Sequence, residues 1–343
     1  MIKIKNTKIN SKKIFITFEA GATHNGFKDA KKLIDIAARA NADAIKFQIF
    51  SNKNFISDKN LFIKFKILKK NNQFKIKKEK LYKIFNRRYL KEHEWIKLKN
   101  YADKKKILFF ATAGSLEDLN IIKKIKCHSV KISSSDINYL ELIEKAALTG
   151  KNIQLDTGNA TLNDIKRAIK IIENKGNKNI ILHYCPPGYP TTYSKINFKF
   201  IEKLKKFKYP IAFSDHSPGE LMDVAAVCHG VCLVEKTITL NKYTPEVEHC
   251  FSLEPQETEK FVQNLKNLKK TLNNNKLIFP INKNLRRGVY LKNDITKYSK
   301  INSEHVYFAR PQKGIGPDEF FYLNSKKIKK NKKQNEFLKI TDF

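Results

Sequence analysis

Short apolar runs that end in a polar or charged residue recur along this chain. Between most of them lies a stretch whose apolar residues have helical spacing, such as AKKLIDIAARA at 30–40. Eight strand–helix units in succession are typical of a (β/α)8 TIM barrel, in which catalytic side chains stand at the carboxyl ends of the strands. The pattern therefore predicts a barrel enzyme. The eight runs are Ile14–Glu19, Ala42–Gln48, Ile107–Thr112, Ser129–Ser134, Asn152–Asp156, Asn179–Cys185, Pro210–His216 and Val231–Glu235.

One long insertion interrupts the pattern between the second and third predicted strands. Residues 50–104 are rich in Lys and Phe, and we expect two helices there, at about 60–86 and 90–104. An insertion of this length is uncommon for a plain connection and often shapes the mouth of a substrate site.

The chain length predicts a second, smaller domain. A barrel needs about 250 residues, and the chain has 343. We expect a catalytic barrel over 1–272, a polar linker over 273–284 and a small β-rich domain over 285–343, because the last segment contains only short strand and turn patterns.

Cysteine usage and hydropathy bear on the compartment. Five cysteines are scattered without the spacing of a zinc site, so we expect reduced thiols and a cytoplasmic location. No apolar run approaches the roughly 20 residues of a membrane-spanning helix. Glu19 and His24 interrupt the apolar run after the basic N terminus, which is unlike a signal peptide. We therefore expect no membrane partner.

The net charge of +35 raises the question of a nucleic-acid partner. Only seven of the 68 basic residues are arginine, whose planar fork usually carries the recognition of phosphates and bases. The lysines are spread along the whole chain, as expected of solvated helix faces. We therefore predict no nucleic-acid partner, although the positive field should attract anionic substrates. The alternative is a lysine-rich protein that binds nucleic acid in a salt-sensitive way.

Two lysines at strand ends are candidates for binding a small anion. Lys46 lies inside the apolar run AIKFQ, where burying an ammonium group without an anion is costly, and Lys131 occupies a similar place in VKISSSD. The alternative is a lysine that extends to the surface. The third candidate is His216, next to Asp215, which suits a metal ion but also suits a hydrogen-bonded core position.

Several motifs together resemble the N-acetylneuraminate (sialic acid) synthase family. The tail RRGVYLKNDI…FARPQKGIGP resembles that family's C-terminal antifreeze-like (SAF) domain, which has a β-clip fold. The resemblance extends over nearly the full chain, in the family's order. The barrel motifs are FEAGATHNG at 18–26, ADAIKFQ at 42–48, VKISSSD at 130–136, the Tyr189-Pro190 turn, FSDHSPG at 213–219 and EHCFSLEP at 248–255.

The resemblance implies a nonulosonate synthase that serves cell-surface polysaccharide biosynthesis. Such an enzyme condenses phosphoenolpyruvate with an N-acetylated mannosamine or a related aldose, and the products are a nine-carbon α-keto acid and phosphate. It requires a divalent metal, Mn²⁺ or Mg²⁺, which polarises the aldehyde oxygen. Arg310 resembles the arginine that the antifreeze-like domain delivers into a partner's barrel, which implies a domain-swapped homodimer.

The roles of single residues follow from the resemblance together with what each side chain can do. Lys46 and Lys131 bind the phosphate and carboxylate of phosphoenolpyruvate, and Glu19 deprotonates the attacking water, with Asp136 as the second choice. Asp215 orients His216. The remaining predicted contacts are hydrogen-bond donors to the anion at Thr112, Ser134 and Ser214, and substrate contacts at Gln48, Tyr189, Glu235 and Glu248.

The chain departs from the family at the metal site. The second histidine ligand of the family corresponds here to Thr237, a poor ligand for a divalent ion. We expect His249 to complete the site with His216; otherwise the metal keeps an extra water. Asp156 also stands where the family has a serine. Two alternatives therefore stay open: another phosphoenolpyruvate-condensing aldose synthase, and a degenerate barrel that binds sugar or anion without catalysis.

Overall fold

The computed structural model describes residues 2–10, 12–50, 56–274 and 280–343. The chain divides into two compact units, Met1–Asn274 and Asn275–Phe343. Residues 275–279, within the predicted linker, lie outside the described residues.

The first unit is built around a closed barrel of eight parallel strands in the order β10-β11-β12-β3-β4-β7-β8-β9. This confirms the predicted fold. Two antiparallel hairpins, β1–β2 and β5–β6, accompany the barrel. The strands are β1 (Ile2–Ile4), β2 (Thr7–Ile9), β3 (Phe15–Glu19), β4 (Ala44–Ile49), β5 (Phe62–Leu68), β6 (Phe74–Lys80), β7 (Leu108–Ala113), β8 (Ser129–Ile132), β9 (Asn152–Asp156), β10 (Ile180–Tyr184), β11 (Ile211–Asp215) and β12 (Leu233–Thr237).

Helices surround the barrel and begin at local sequence signals. The Ser115 hydroxyl accepts a hydrogen bond from the Asp118 amide, and Thr161 with Asp164 forms a capping box. The apolar faces of the helices pack on the strands. The helices are α1 (Phe27–Arg39), α2 (Leu81–Arg88), α3 (Glu92–Lys104), α4 (Leu116–Lys124), α5 (Leu140–Ala147), α6 (Leu162–Asn174), α7 (Lys199–Lys205), α8 (Leu221–Cys228) and α9 (Pro255–Leu272).

The predicted helix at 60–86 is wrong for most of its length, because residues 62–80 form the β5–β6 hairpin. The segments FIKFKIL and FKIKKEK alternate apolar and polar residues, and the polar stretch at 69–73 between them turns the chain. Alternation with period two is typical of a strand whose two faces differ. Only the end of the predicted segment is helical, as α2.

The second unit has its own small core and little regular structure. Strands β13 (Gly288–Leu291) and β14 (Val306–Ala309) pair antiparallel, and one helix, α10 (Pro317–Leu323), follows. Its core contains the apolar residues Val289, Leu291, Ile301, Val306, Ile315, Phe320, Ile328 and Leu338. Across both units, none of the helices in the described ranges is long and apolar enough to cross a membrane.

Candidate active site

A cavity of about 250 Å³ opens at the carboxyl ends of the barrel strands. It brings together side chains that are far apart in sequence, as the barrel pattern predicts. Eleven of the predicted site residues line it: Glu19, Lys46, Gln48, Thr112, Ser134, Asp136, Tyr189, Ser214, His216, Glu235 and Glu248.

Lys46 lies between two carboxylates on the cavity floor. Its Nζ is 2.5 Å from Glu19 Oε2 and 2.6 Å from Glu235 Oε1. The strand register explains this placement, because Lys46 pairs with Glu19 across β3 and β4 and both side chains point to the same face. The Lys46 side chain is only 4% exposed. A buried cation is tolerated here because anions surround it.

Lys131 continues the same cluster toward β9. Its Nζ lies 2.6 Å from Glu235 Oε1 and 3.0 Å from Asp156 Oδ2. Ser214 Oγ also donates to Glu235 Oε1, at 3.0 Å. We call the five groups Glu19, Lys46, Glu235, Lys131 and Asp156 the charge cluster. Its charges alternate in sign along the row.

The charge cluster perturbs the pKa values of its members. Burial alone would raise the pKa of Glu235, but Lys131 and Lys46 hold it well below its ordinary value. Burial would lower the pKa of Lys46, but Glu19 and Glu235 hold it well above. For Glu19 and Asp156, at the two ends of the row, burial outweighs the nearest lysine and raises the pKa. The end carboxyls are therefore the groups that most readily hold a proton.

Glu19 is fixed by the turn that follows β3. Its Oε1 accepts a hydrogen bond from the Gly21 amide. A side chain at Gly21 would meet Gln48 N at 2.5 Å and Glu19 Oε1 at 2.6 Å, so only glycine fits. The FEAG motif therefore holds the Glu19 carboxyl at the cavity.

His216 lies at the cavity wall beside Tyr189 and Cys185. The ring centroids of His216 and Tyr189 are 4.8 Å apart, and His216 Nδ1 is 3.9 Å from Cys185 Sγ. Burial lowers the pKa of His216 to about 4, so the imidazole is neutral near pH 7. A neutral imidazole is the form that binds metal ions.

Two further acids complete the cavity. Burial, with Glu19 nearby, raises the pKa of Glu248 to about 8, and burial with Asp118 raises that of Asp136 to about 6. Asp136 follows β8 in a short 3-10 turn, and Glu248 adopts a left-handed backbone conformation with φ of 71°. Both carboxyls are suited to contact a polar substrate.

The expected two-histidine metal site does not form from the residues of this chain. Over 2–10, 12–50, 56–274 and 280–343, no three His, Cys, Asp or Glu side chains converge as a metal-binding group. His249 does not line the cavity; its Nδ1 is 2.7 Å from Thr239 Oγ1 and its Nε2 is 3.9 Å from Glu246. This corrects the expectation that His249 joins His216. The donor set at His216 fits at most a weakly held ion.

Asp215 also differs from the expectation that it orients His216. Its carboxylate accepts hydrogen bonds from the Ser217 amide and hydroxyl, both at 2.9 Å, and from Lys236. Lys236 is fully buried and contacts Asp223 of α8 at 3.1 Å. Because side chains alternate along β11, Ser214 faces the cavity while Asp215 faces the helix layer. This ion group fixes the loop that carries His216.

Arg310 lies in the second unit. Its Nε donates to the Leu285 carbonyl at 2.6 Å. Its predicted role in a partner's barrel stays a prediction.

Arg88 is a cavity residue that the sequence patterns did not indicate. It is the last residue of α2 and 1% exposed. Its Nη1 donates to the His24 carbonyl at 2.8 Å, and its Nη2 donates to Glu246 Oε2 at 2.8 Å. It thereby ties the insertion to the loops after β3 and β12. No spacing signal marks a single Arg inside an insertion that contains no barrel strand.

The insertion also gives the cavity an apolar part of its wall. Residues of the β5–β6 hairpin and of α2 provide it together with one residue of the loop after β12: Ile63, Leu81, Ile84, Phe85 and Val247. The cavity therefore has one charged side and one apolar side, which suits a ligand with an anionic part and an apolar part.

Comparison with known proteins assigns the chain to a family. A model described as the NeuB family matches residues 33–276. The chain belongs to the NeuB family. The predicted family is thus confirmed.

Relatives within the NeuB family are similar along nearly the whole chain. N,N'-diacetyllegionaminic acid synthase of Campylobacter jejuni is 33% identical over 338 residues, 96% of this chain and 99% of that protein. Human N-acetylneuraminate-9-phosphate synthase is 28% identical over 92% of this chain and 88% of its own length. The crystal structure of the sialic acid synthetase of Leptospira borgpetersenii, in complex with citrate, has a TM-score of 0.71 at 32% identity, covering 81% of this chain and 92% of that one.

Proposed function

We propose that this NeuB family chain condenses phosphoenolpyruvate with an N-acylated amino sugar of the mannosamine type. The products are a nine-carbon α-keto sugar acid and phosphate. The observation that carries the proposal is the pair of buried ammonium groups, Lys46 and Lys131, that meet at Glu235. Lys46 and Glu235 line the cavity, whereas Lys131 does not line it but contacts Glu235 and Asp156, which do. A small dense anion is the ligand that two such lysines suit.

The proposed reaction proceeds in successive steps, and Glu19, at one end of the charge cluster, takes part in the proton transfer. Carbon 3 of phosphoenolpyruvate attacks the aldehyde carbon, positive charge develops on carbon 2, and water adds there. The tetrahedral adduct then loses phosphate. Glu19 is the group we assign to accept the proton of that water, because its carboxyl is buried, fixed by Gly21 and raised in pKa. We assign Thr112 and Ser134 as hydrogen-bond donors to the anion, and Ser214 joins them only by giving up its hydrogen bond to Glu235 Oε1.

We assign the acceptor sugar to cavity residues outside the charge cluster. Gln48, Tyr189 and Glu248 line the cavity and offer hydrogen bonds to hydroxyl and N-acyl groups, and Arg88 lines it as well. The apolar wall suits the methyl groups of N-acyl substituents and of a 6-deoxy carbon. N-Acetylmannosamine and a 2,4-diacetamido-6-deoxy sugar are therefore the two acceptors to compare.

The second unit and the assembly are proposed on the resemblance. We assign 285–343 as an antifreeze-like domain and Arg310 as its contribution to a partner's site in a domain-swapped homodimer. The five free thiols support the cytoplasmic location.

A second candidate is a barrel that binds sugar or anion without turning over. Thr237, in place of the expected second imidazole, favours it, because the metal donor set is incomplete. The charge cluster would then be a binding site only.

One experiment separates the two candidates. The protein is incubated with phosphoenolpyruvate and each acceptor, with and without manganese, and the product is weighed by mass spectrometry while phosphate release is measured. The proposal expects one acceptor to give a mass equal to both substrates plus water minus phosphoric acid. Phosphoenolpyruvate binding without phosphate release from either acceptor would favour the binding barrel. Lys131→Met serves as the inactive control.

A further inference from the structure

A row of buried polar side chains runs through β8, β9 and β10 up to the cavity, and its hydrogen-bond directions are fixed at one end. Asn152 Nδ2 donates to the Asn179 carbonyl at 3.0 Å. A backbone carbonyl can only accept, so Asn152 Oδ1 must face the other way. Ser129 Oγ lies 2.7 Å from that oxygen and donates to it.

The direction of each further hydrogen bond in the row, as far as His183, follows from the one before it. The single hydroxyl proton of Ser129 is already donated, so Ser129 Oγ accepts from Gln154 Nε2 at 2.9 Å. Gln154 Oε1 then accepts from His183 Nε2, also at 2.9 Å. Burial, and next the charge of Lys131, hold the pKa of His183 well below its ordinary value, so the ring is neutral. The proton of the imidazole is therefore on Nε2, and Nδ1 has only a lone pair.

That lone pair faces a carboxylate oxygen. His183 Nδ1 lies 3.8 Å from Asp156 Oδ1. Neither atom has a hydrogen-bond partner in the parts of the chain that the structure describes. His183 is fully buried and Asp156 is 8% exposed. An ionised Asp156 sets a carboxylate oxygen against the lone pair of His183 Nδ1 in a water-poor place, whereas a proton on Oδ1 places a donor there, and a small side-chain movement brings the two atoms into hydrogen-bond distance.

The charge balance of the site points the same way. With every group ionised, the three carboxylates and two ammonium groups of the charge cluster leave one net negative charge. An ionised Asp156 already forms an ion pair with Lys131, whose Nζ is 3.0 Å from Asp156 Oδ2. A phosphate group placed on that lysine would have to share it with a carboxylate in a medium where like charges repel strongly.

We propose that Asp156 is a proton-linked counter-ion of the anion site: it neutralises Lys131 in the free protein and takes up a proton on Oδ1, facing His183, when a phosphate group binds. Asp156 then stays as a neutral hydrogen-bond donor beside the bound anion. The inference deepens the proposed function, since phosphoenolpyruvate is the anion concerned.

The groups that face Asp156 belong to every strand around it. They are Lys131 on β8, His183 on β10, Glu235 on β12 and Lys46 on β4, with Cys185 and Tyr189 after β10. Within this set Lys46 is held charged by Glu19 and Glu235, and the imidazole of His183 stays neutral. Asp156 is therefore the member of this group beside Lys131 whose protonation changes most easily on anion binding.

The consequence is an affinity that depends on pH. Above the pKa that Asp156 has in the free protein, the proton must come from solvent, so the dissociation constant for the anion rises up to about tenfold per pH unit. Asp156→Asn, which is neutral at every pH, lacks this dependence and binds more tightly at alkaline pH.

Isothermal titration calorimetry tests the inference. Phosphoenolpyruvate, and separately inorganic phosphate, are titrated into the protein at pH 6, 7 and 8 in buffers of different ionisation heat, with the same divalent ion present throughout. The slope of the observed binding enthalpy against the ionisation enthalpy of the buffer gives the number of protons taken up on binding. We expect uptake at pH 8 to be about one proton lower in Asp156→Asn than in the wild type. Protons lost or gained by the ligand itself are common to both proteins and cancel in the difference. Asp318→Asn, an exposed change in the second unit, should match the wild type.

Equal proton uptake in wild type and Asp156→Asn, or an anion affinity of the wild type that does not change with pH, would overturn the inference. So would the absence of anion binding to both proteins at pH 6. If Asp156→Asn fails to fold, Asp156→Ser replaces it, and equal proton uptake by the wild type and Asp156→Ser at pH 8 is the outcome that overturns the inference. Phosphate release with an acceptor is measured separately. Proton-linked anion binding without phosphate release would refute the proposed synthase activity but would still support the role of Asp156 as a counter-ion.

Discussion

The Thr237 hydroxyl lies 3.5 Å from Glu248 Oε2 at the carboxyl end of β12. Parallel pairing of β11 with β12 extends to Asp215 and Lys236, so Thr237 is one position beyond, in register with His216. The position is therefore geometrically suited to a second metal ligand, although its side chain is not one.

Thr237→His should restore metal affinity. An added imidazole next to His216 raises the number of strong donors, so we expect the dissociation constant for Mn²⁺ to fall by at least about tenfold. Titration calorimetry with Mn²⁺ measures it independently of activity. Thr271→His, at an exposed position of α9, is the matched control and should leave it unchanged. Equal affinity of Thr237→His and the control would show that position 237 does not reach the site.

Lys131→Met should abolish turnover and weaken the fold. The variant leaves Glu235 and Asp156 in the protein interior with one ammonium group fewer, which costs about 3 kcal/mol of unfolding free energy near pH 7. We expect kcat/KM to fall at least about 100-fold, because the anion loses an interaction with the Lys131 ammonium group that becomes stronger in the transition state. Urea unfolding and phosphate release measure the two effects.

The stability loss of Lys131→Met should shrink as pH falls, because Asp156 and Glu235, which have lost an ammonium partner, then take up protons. Lys145→Met, a lysine of α5 on the opposite side of the strand layer from the cavity, is the control for removing a charge. A variant that released phosphate at the wild-type rate would remove Lys131 from the proposed site.

The sequence was sufficient for the barrel and for the placement of Lys46 and Lys131 in the interior, because both signals are strong; their binding of phosphoenolpyruvate stays a prediction. Eight apolar runs with polar ends, separated by helical stretches, fit few folds besides a (β/α)8 barrel, and a Lys inside AIKFQ is costly to bury unless it meets an anion. The register then brings Lys46 against Glu19 and Glu235.

Side-chain direction is what the sequence patterns left open. Asp215 and His216 are neighbours in sequence, yet alternation along β11 turns Asp215 toward Lys236 in the helix layer. His249 lies close in sequence to Glu248, but a 3-10 turn directs its ring to Thr239. Arg88 enters the cavity from an insertion whose packing depends on the whole barrel. Each of these follows from tertiary contacts rather than from local spacing.

Asp136 should make stability depend on pH between its unfolded and folded pKa values. Burial and then Asp118 raise the pKa of Asp136 from 3.8 to about 6. The folded protein holds this proton more tightly than the unfolded chain. Protonated Asp136 therefore adds to the unfolding free energy fully below pH 3.8, and this addition is lost as pH rises through about 6. Asp136→Asn is neutral throughout and lacks that loss.

Urea unfolding at a series of pH values checks this. The unfolding free energy of Asp136→Asn minus that of the wild type should rise as pH rises across the window and become flat above it, because all other groups cancel in the difference. Asp318→Asn should give a difference that does not change across the same range. A flat profile for Asp136→Asn would mean that its carboxyl titrates alike in the folded and unfolded chains.

Arg88→Met should loosen the acceptor side of the cavity more than the phosphate side. Arg88 holds the His24 carbonyl and Glu246 together, so its loss frees two loops at once and leaves Arg87, 3.4 Å away, as the arginine partner of the Glu246 carboxylate. We expect about 2 kcal/mol lower unfolding free energy and about a tenfold higher KM for the acceptor, with little change in the KM for phosphoenolpyruvate. Arg87→Met is the matched control, because its side chain is 29% exposed against 2% for Arg88, and it should cost less in both measurements. Equal effects on the two substrates would mean that Arg88 supports the whole cavity rather than its acceptor side.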